Sequence, residues 1–452
     1  MNKKYTFQRR DFLKKSLILS FPSIVPASVF GQDAPSKKIT IGLVGCGGMG
    51  LGNARSMMDH GGFLPIAACD VDRSHLLNAV NQVNAFYKTN SCTAYSDYRE
   101  LMADKSIDAV MLAVPDHWHG LISVEAANQK KDIYGEKPLA RTIKEQQAIV
   151  AAVEKNQVIW QTGSWQRSTA NFHAAVQIVR NGLLGKISRI EVGLPSGHAD
   201  LGKTGNKQAD SVAPENLDYE KWIGPAEIMP YNICRTHKNW RWNYNTGGGQ
   251  LLDWVGHHVD IAHWGMNWDR SGPLSVKTIE CVHPVKSDVW NTATKFKTEL
   301  VYPGGVTMMI AGGYVEHPVG CKWIGEKGTL FVGRKDVFEC SIPEFTKKVK
   351  VRNDKNEVKE VSRFVRLGAD IIKNPIDESS NHFVNFYDCI VSRKETITPV
   401  HAAHHSAIPG HISLISMLLN RDLQWDSATE TFVNDAEANV MLSRPYREPW
   451  KI

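Results

Sequence analysis

"KITIGLVGCGGMGLGNARSMMDHG", residues 38–61, begins as an apolar, β-branched run and passes without a linker into a glycine-rich turn. Ile39 to Val44 reads as a buried strand and the segment after Gly50 as a helix. Between them Gly45, Gly47 and Gly50 form a G-x-G-x-x-G spacing. In that context each glycine has its own task. Gly45 permits the tight turn, Gly47 lets the backbone approach a pyrophosphate, and Gly50 lets helix and strand pack closely, with the phosphates at the helix N-terminus. A second buried run, "FLPIAACD" (63–70), ends in Asp70, twenty residues after Gly50. An acid at that place accepts hydrogen bonds from an adenosine ribose and favours NAD. Arg73 nearby could stack on adenine or meet a 2′-phosphate, so NADP stays open.

Working outward, strand-like runs recur as "DAVMLAVP" (108–115), "DIYGEKP" (132–138) and "QVIWQTG" (157–163), each separated by a helix-length segment. This alternation specifies a doubly wound parallel sheet of the α/β class, a Rossmann domain over residues 36–163. Past residue 163 the rhythm changes. A helix-like stretch at 171–181 leads to "KISRIEVGL", then to a long irregular segment (194–246) rich in Gly, Pro, Trp and Asn, which reads as a binding loop. "TKFKTELVY" and "GVTMMIAGGYV" alternate like open-sheet strands, and helices are expected near 382–392 and 405–420. Residues 164–452 therefore read as an α+β substrate and oligomerisation domain, with a cleft between the two units.

Composition bounds the class. The 452 residues are 42% hydrophobic and 22% charged, those of an ordinary globular chain with room for two or three domains. The net charge of +6 is concentrated at the front, where residues 1–31 hold six Lys and Arg against one Asp. The remainder is near neutral, which argues against nucleic acid or a membrane surface as partner. Eight scattered cysteines show no C-x-x-C or zinc spacing and read as buried small hydrophobes. "RRDFLKKS" (9–16), followed by an apolar stretch broken by Pro22 and Pro26, reads as a cleavable export signal over residues 1–31. Arg9 and Arg10, with Phe12, Leu13 and Lys14, resemble the twin-arginine consensus, although Gln8 stands where Ser or Thr is usual. The expected destination is the periplasm.

"GLVGCGGMG", "AVPDHWH" (113–119), "GEKPLA" (135–140) and "GGGQLLDWVGHHVD" (247–260) occur together in an order and spacing that resembles the family of glucose–fructose oxidoreductase, inositol dehydrogenase and rhizopine-catabolism oxidoreductases (Gfo/Idh/MocA). The resemblance covers nearly all of the chain after the signal. It implies a Rossmann domain followed by a large, mostly antiparallel open-faced sheet, often buried by homo-oligomerisation as a dimer or tetramer. "PENLDYEKWIGPA" (214–226) and "ANVMLSRPYREPW" (438–450) further resemble an exported bacterial branch acting on sugars. The family assigns its EKP lysine to the substrate hydroxyl and nicotinamide ribose, a role that falls here on Lys137. It places Met49, Pro115, Asp116, His119 and Glu136 at the cofactor.

Oxidising a secondary alcohol needs a base for the hydroxyl proton, a group to hold the oxygen, and a nicotinamide to take the hydride. If residues 251–264 are helical, Asp253 and His257 lie four apart on one face, so the carboxylate can support a charged imidazole. The family's acid and histidine correspond to Asp253 and His257, the latter the expected general base. Trp118, Trp165, Arg167, Trp240, Arg241, Trp242 and His258 fit a carbohydrate pocket, with flat aromatic faces for sugar C–H groups and arginine for hydroxyls. The cluster His257, His258, Asp260 and His263 lacks H-E-x-x-H spacing, so no metal is expected there, and "HAAHH" (401–405) reads as a polar helix start or a solvated face.

The expected activity is that of an NAD-retaining oxidoreductase acting on a secondary ring hydroxyl of a sugar or glycoside, at C3. Holding a cofactor for hours needs koff of about 10⁻⁴ s⁻¹, hence Kd of about 10⁻¹⁰ M at kon of about 10⁶ M⁻¹s⁻¹. Alternatives are an NAD-dependent glycoside hydrolase working by oxidation, elimination, hydration and reduction, and a catalytically silent sugar-binding protein.

Overall fold

The computed structural model describes residues 38–286, 288–352, 358–362 and 371–452. The expected export signal lies outside the described residues. The first sheet contains β1 (Ile39–Val44), β2 (Phe63–Cys69), β3 (Thr93–Tyr95), β4 (Ala109–Leu112), β5 (Asp132–Gly135) and β6 (Trp160–Thr162) in the order β3-β2-β1-β4-β5-β6. All pairings are parallel. The order reverses direction between β1 and β4, which opens a crevice at the carboxyl ends of those strands. Apolar strands such as β4, buried along its whole length, are possible because helices cover both faces.

The second sheet has nine strands: β7 (Ile187–Leu194), β8 (Ser275–Val282), β9 (Lys295–Val301), β10 (Thr307–Gly312), β11 (Gly320–Gly325), β12 (Gly328–Val332), β13 (Phe338–Cys340), β16 (Leu423–Asp426) and β17 (Thr431–Phe432). Their order is β13-β12-β11-β7-β10-β9-β8-β16-β17, and β14 (Lys348–Arg352) pairs only with β15 (Val358–Ser362). Only the β7–β10 pairing is parallel, so the mostly antiparallel sheet expected from sequence is present. In β9, Phe296, Thr298 and Leu300 point into the core while the intervening side chains are half-buried. That is the period-2 pattern of a sheet covered on one face. Helices 170–180, 249–266 and 400–419 supply the cover, packing Phe172, Leu252, Ile261 and Ile412 against Phe296, Ile310 and Trp323. The other face carries paired charges, among them Arg189 with Glu191 (3.2 Å) and Glu299 (3.0 Å).

The two units are not independent. Helix His382–Ser392 crosses back onto the first sheet, and Phe386 packs against Phe63 and Tyr134 in the nucleotide-domain core. Thr162 at the end of β6 donates its backbone N–H to the Thr398 carbonyl at 3.0 Å. The eight cysteines are free thiols, six of them buried. Among the described residues no helix is long and apolar enough to cross a membrane. Because Phe386 is fully buried, Phe386→Ala should cost about 3–5 kcal/mol by leaving a cavity. The loss should appear in urea unfolding as destabilisation of the nucleotide domain, although the residue lies more than 200 positions downstream of that sheet's last strand.

Candidate active site

The crevice between the units is a cavity of about 700 Å³ that runs from the glycine turn and Asp70 to Lys137, Asp253 and His257. At its first end Gly45 has φ +84, a left-handed conformation that L side chains rarely adopt. A Cβ on Gly50 would overlap the Gly45 carbonyl oxygen, whereas a Cβ on Gly47 would meet nothing within 4 Å. Gly47 caps helix Gly48–His60, so unpaired backbone N–H groups face open space, as an anion requires. The Asp70 carboxylate accepts from Cys46 N at 2.7 Å and Asp72 N at 2.8 Å, which fixes it at the end of β2. Met49, half-exposed, and Pro115 border the same space. Arg73 does not. The neighbouring Asp72 is buried, its carboxylate accepting from Ser74 N at 2.8 Å and Asn216 Nδ2 at 2.9 Å.

At the other end, Lys137 leaves β5 and reaches across the crevice. Its ammonium donates to Asp253 twice, to Oδ1 at 2.9 Å and to the backbone carbonyl at 2.8 Å. Arg241 Nε shares the same Oδ1 at 3.0 Å. The Lys137 stem passes so close to Gly256 that a Cβ there would lie 2.7 Å from the lysine Cβ, and Ser164 Oγ holds the Gly256 carbonyl at 2.7 Å. Burial alone would raise the Asp253 carboxyl, but Lys137 and Arg241 outweigh it and hold it far below the carboxylate range. Burial pushes His257 well below the ordinary histidine range, and the Lys137 charge pushes it further. The imidazole is therefore neutral, with Nδ1 buried and, among the described residues, without a hydrogen-bond partner. Trp254, Trp165 and Arg334 complete the wall, the Arg334 guanidinium lying 4.4 Å from the Trp254 ring centroid and 5.2 Å from that of Trp165.

Several sequence expectations need correction. Residues 251–264 are not one α-helix: Gly249–Trp254 and Asp260–Met266 flank a π-helical turn, Val255–Val259. The recorded partners of the Asp253 carboxylate are Lys137 and Arg241 rather than His257, which is held neutral, not charged. Arg167 does not border the cavity. It is fully buried, paired with Asp260 at 2.7 Å and Asp269 at 2.8 Å, and so holds the second domain together. His258 is also fully buried, stacked on Trp254 behind the cavity wall. Trp242 belongs to the core, its N–H donated to the Ala199 carbonyl at 2.9 Å. Trp118 borders the cavity, but with Tyr98 and Trp450, and its N–H is taken by the Trp222 carbonyl at 2.9 Å.

Three expected cofactor residues lie beneath the cavity or at its edge. Asp116 is buried, and burial, with the nearby Asp253 charge, raises its carboxyl to about 7. His119 contacts two carbonyls, those of Pro138 (2.7 Å) and Val114 (2.9 Å), so it braces the loop that presents Lys137. Glu136 accepts from Asn53 Nδ2 at 2.9 Å and borders the cavity next to Lys137. "HAAHH" stands at a helix start, Val400–Leu419, but not on a solvated face: His404 is buried between Gln146 and Glu430 at 2.9 and 2.7 Å. Arg334, Lys238 and His237 were not foreseen. Arg334 sits in a loop and His237 and Lys238 open a short 3-10 helix, none of them within a motif, whereas Trp254 and Trp450 lay unrecognised inside quoted ones.

The profile of the oxidoreductase family, NAD-binding Rossmann fold, matches residues 39–164, and that of its C-terminal alpha/beta domain matches 169–371 and 369–452. The chain belongs to the Gfo/Idh/MocA oxidoreductase family, and its first domain is of that family's NAD-binding Rossmann fold. Among curated relatives it is 29% identical over 231 residues to "Uncharacterized oxidoreductase YrbE" of Bacillus subtilis, covering 51% of this chain and 54% of that one. It is 27% identical over 146 residues to myo-inositol 2-dehydrogenase of Thermotoga maritima (32% and 42%). It is also 27% identical over 207 residues to glycosyl hydrolase family 109 protein 2 of a Shewanella strain (40% and 44%). The chain thus spans about half, or less, of the relatives it matches. A solved levoglucosan dehydrogenase, in complex with NADH and levoglucosan, shares the fold at 15% identity with a TM-score of 0.59, covering 86% of this chain and 99% of that one.

The two inner glycines separate folding from binding. Gly50→Ala forces an overlap with the Gly45 carbonyl, so it should destabilise by about 1–3 kcal/mol and lower Tm without ligand. Gly47→Ala should leave that Tm unchanged yet lose NAD affinity in titration calorimetry, because its methyl fills the space the pyrophosphate needs.

Proposed function

We propose that this protein is an exported, NAD-retaining oxidoreductase that interconverts a secondary ring hydroxyl of a sugar or glycoside, at C3, with the ketone. The convergence of Lys137, Asp253, Arg241 and His257 at the end of the cavity opposite the glycine turn carries the reading. Bound NAD supplies the hydride acceptor and donor. Lys137, held in place by Asp253, donates to the substrate oxygen and stabilises negative charge developing there. His257 is the one group bordering this end that is both neutral and able to accept, so it takes the hydroxyl proton. Trp165, exposed to 41%, and Trp254 offer apolar faces to sugar C–H groups, while Arg241 and Arg334 offer donors to hydroxyls. Export by the twin-arginine route accords with residues 9–16, and a homo-oligomer would cover the charged open face of the second sheet.

The glycosyl hydrolase family 109 relative favours a second reading, in which the ketone activates a neighbouring C–H for elimination of the aglycone before hydration and reduction. One experiment separates the two. Purified protein is incubated with an aryl glycoside and no partner enzyme. Growth of the reduced-nicotinamide absorbance without phenol is expected for the oxidoreductase, and catalytic phenol release overturns it. Denaturing the same preparation should release NAD stoichiometric with protein.

Mutants test the roles. Lys137→Ala should abolish turnover in protein that still folds. His257→Ala should depress both half-reactions by about 10²–10⁴-fold, the usual contribution of acid–base catalysis. The wild-type oxidative half-reaction, followed as single-turnover reduction of bound NAD, should be flat through neutral pH. It should fall only in acid, below the ordinary histidine range, because the depressed His257 must protonate before it ceases to be a base. A profile rising through pH 6–7 would mean that another group takes the proton.

A further inference from the structure

The cavity continues past Asp70 into a chamber that the chemistry at Lys137 does not use. Its walls come from three distant parts of the chain: Tyr98 and Trp118 of the nucleotide domain, Trp222 of the irregular segment, and Trp450 of the segment 444–450. Trp450 stands edge-on to Trp118, with ring centroids 4.8 Å apart, and the Arg99 guanidinium lies 5.3 Å from its ring centroid. Trp118 in turn stands edge-on to Tyr98 at 5.7 Å.

Two pieces of the second domain close this chamber, and each is anchored to the first. The irregular segment is stapled directly after Asp70: Asp218 N donates to Val71 O (3.0 Å), Arg73 N to Asn216 O (2.8 Å), and Asn216 Nδ2 to the Asp72 carboxylate (2.9 Å). The C-terminal segment 444–450 is held by Glu145, a buried carboxylate that accepts from Arg444 at 2.8 Å and from the Tyr446 hydroxyl at 2.7 Å. Arg447 then ties tail to strap, donating to Gly224 O at 3.0 Å and pairing with Glu220. In an open Rossmann crevice the adenine rim would face water. Here an aromatic tail covers it.

We propose that the C-terminal segment, through Trp450 and Arg447, is the gate that limits cofactor release, with the adenine of the cofactor lying against the aromatic wall it completes. The proposal rests on the reading of this protein as one that retains NAD, and it assigns that retention to residues outside the nucleotide domain. Flat side chains suit an adenine whatever the sugar at the far end, since stacking uses only the π face. The glycine turn holds the pyrophosphate but cannot slow departure through an open side. A tail pinned at Glu145, Glu220 and Gly224 can.

The test uses full-length protein purified with its nucleotide. Release of bound NAD into excess etheno-NAD is followed for wild type, Trp450→Ala, Trp450→Phe and Arg447→Ala, with Tm recorded for each. Release should be about tenfold faster or more in Trp450→Ala and Arg447→Ala, and largely restored in Trp450→Phe. In stripped protein, Trp450→Ala should weaken ADP-ribose binding by a similar factor and leave nicotinamide mononucleotide unaffected, because only the former carries adenine. Wild-type release rates in both variants, or an equal loss for the two half-ligands, overturns the proposal. If Trp450→Ala fails to fold, Arg447→Ala, which keeps the ring and cuts the tail's tie to the strap, decides. Rapid release by wild type itself would overturn the retention reading alone, and the ADP-ribose comparison still judges the chamber.

Discussion

One buried ion pair joins the two domains at the site itself: the Lys137 ammonium from the first, held by the Asp253 carboxylate and carbonyl of the second. Both side chains are largely withdrawn from water, at 8% and 16% exposure. Charges in such a place incur a desolvation cost that their mutual attraction offsets only when the geometry is good. Two features make it good. The lysine reaches two acceptors on one residue, and Gly256 leaves room for its stem. Arg241 then shares the carboxylate, so two cations and one anion stand together, with a net positive field at the end of the cavity where a substrate oxygen would gain negative charge.

Burial, together with the charges of this cluster, sets the state of the neighbouring groups. His257, beside the cluster and out of water, cannot hold a proton at neutral pH, while Asp253 cannot accept one. Asp116, buried behind them and repelled by Asp253, is raised to about 7. The environments thus push ordinary side chains apart into a donor, an acceptor and a counter-ion, which is how one pocket separates acid from base work. His119 adds nothing to the charge but ties the Pro138 carbonyl to the body of the domain, and without that tie the ammonium would lose its aim.

What could be read from sequence was what depends on neighbours in the chain. The three glycines, Asp70 at the end of a strand and Lys137 before Pro138 are local patterns whose geometry follows from a few adjacent residues. Arg167 was misplaced because its partners, Asp260 and Asp269, lie about a hundred positions away, and nothing local distinguishes a buried tether from a sugar ligand. The pairing of Asp253 with His257 rested on α-helical periodicity. The π turn at Val255–Val259 alters that register, and π turns of this kind are frequent at functional sites. Arg334 had no signal at all, since a cation above two tryptophans is visible only once β12 and helix 249–254 are brought together.

The same distinction separates binding a nucleotide from keeping it. The turn that meets a pyrophosphate is complete within residues 45–50, but the nucleotide-domain core takes Phe386 from a helix over 200 residues downstream. The chamber beyond Asp70 is closed by Trp222 of the irregular segment and by Trp450, both far downstream of the glycine turn. Contacts of such long separation form at a high entropic cost and therefore late. A nucleotide can be recognised by the early part of the chain, but it can be enclosed only when the final residues have docked on Glu145. The glycine fingerprint therefore predicts affinity and is silent on exchange, which on the proposal above depends on the distant segment around Trp450.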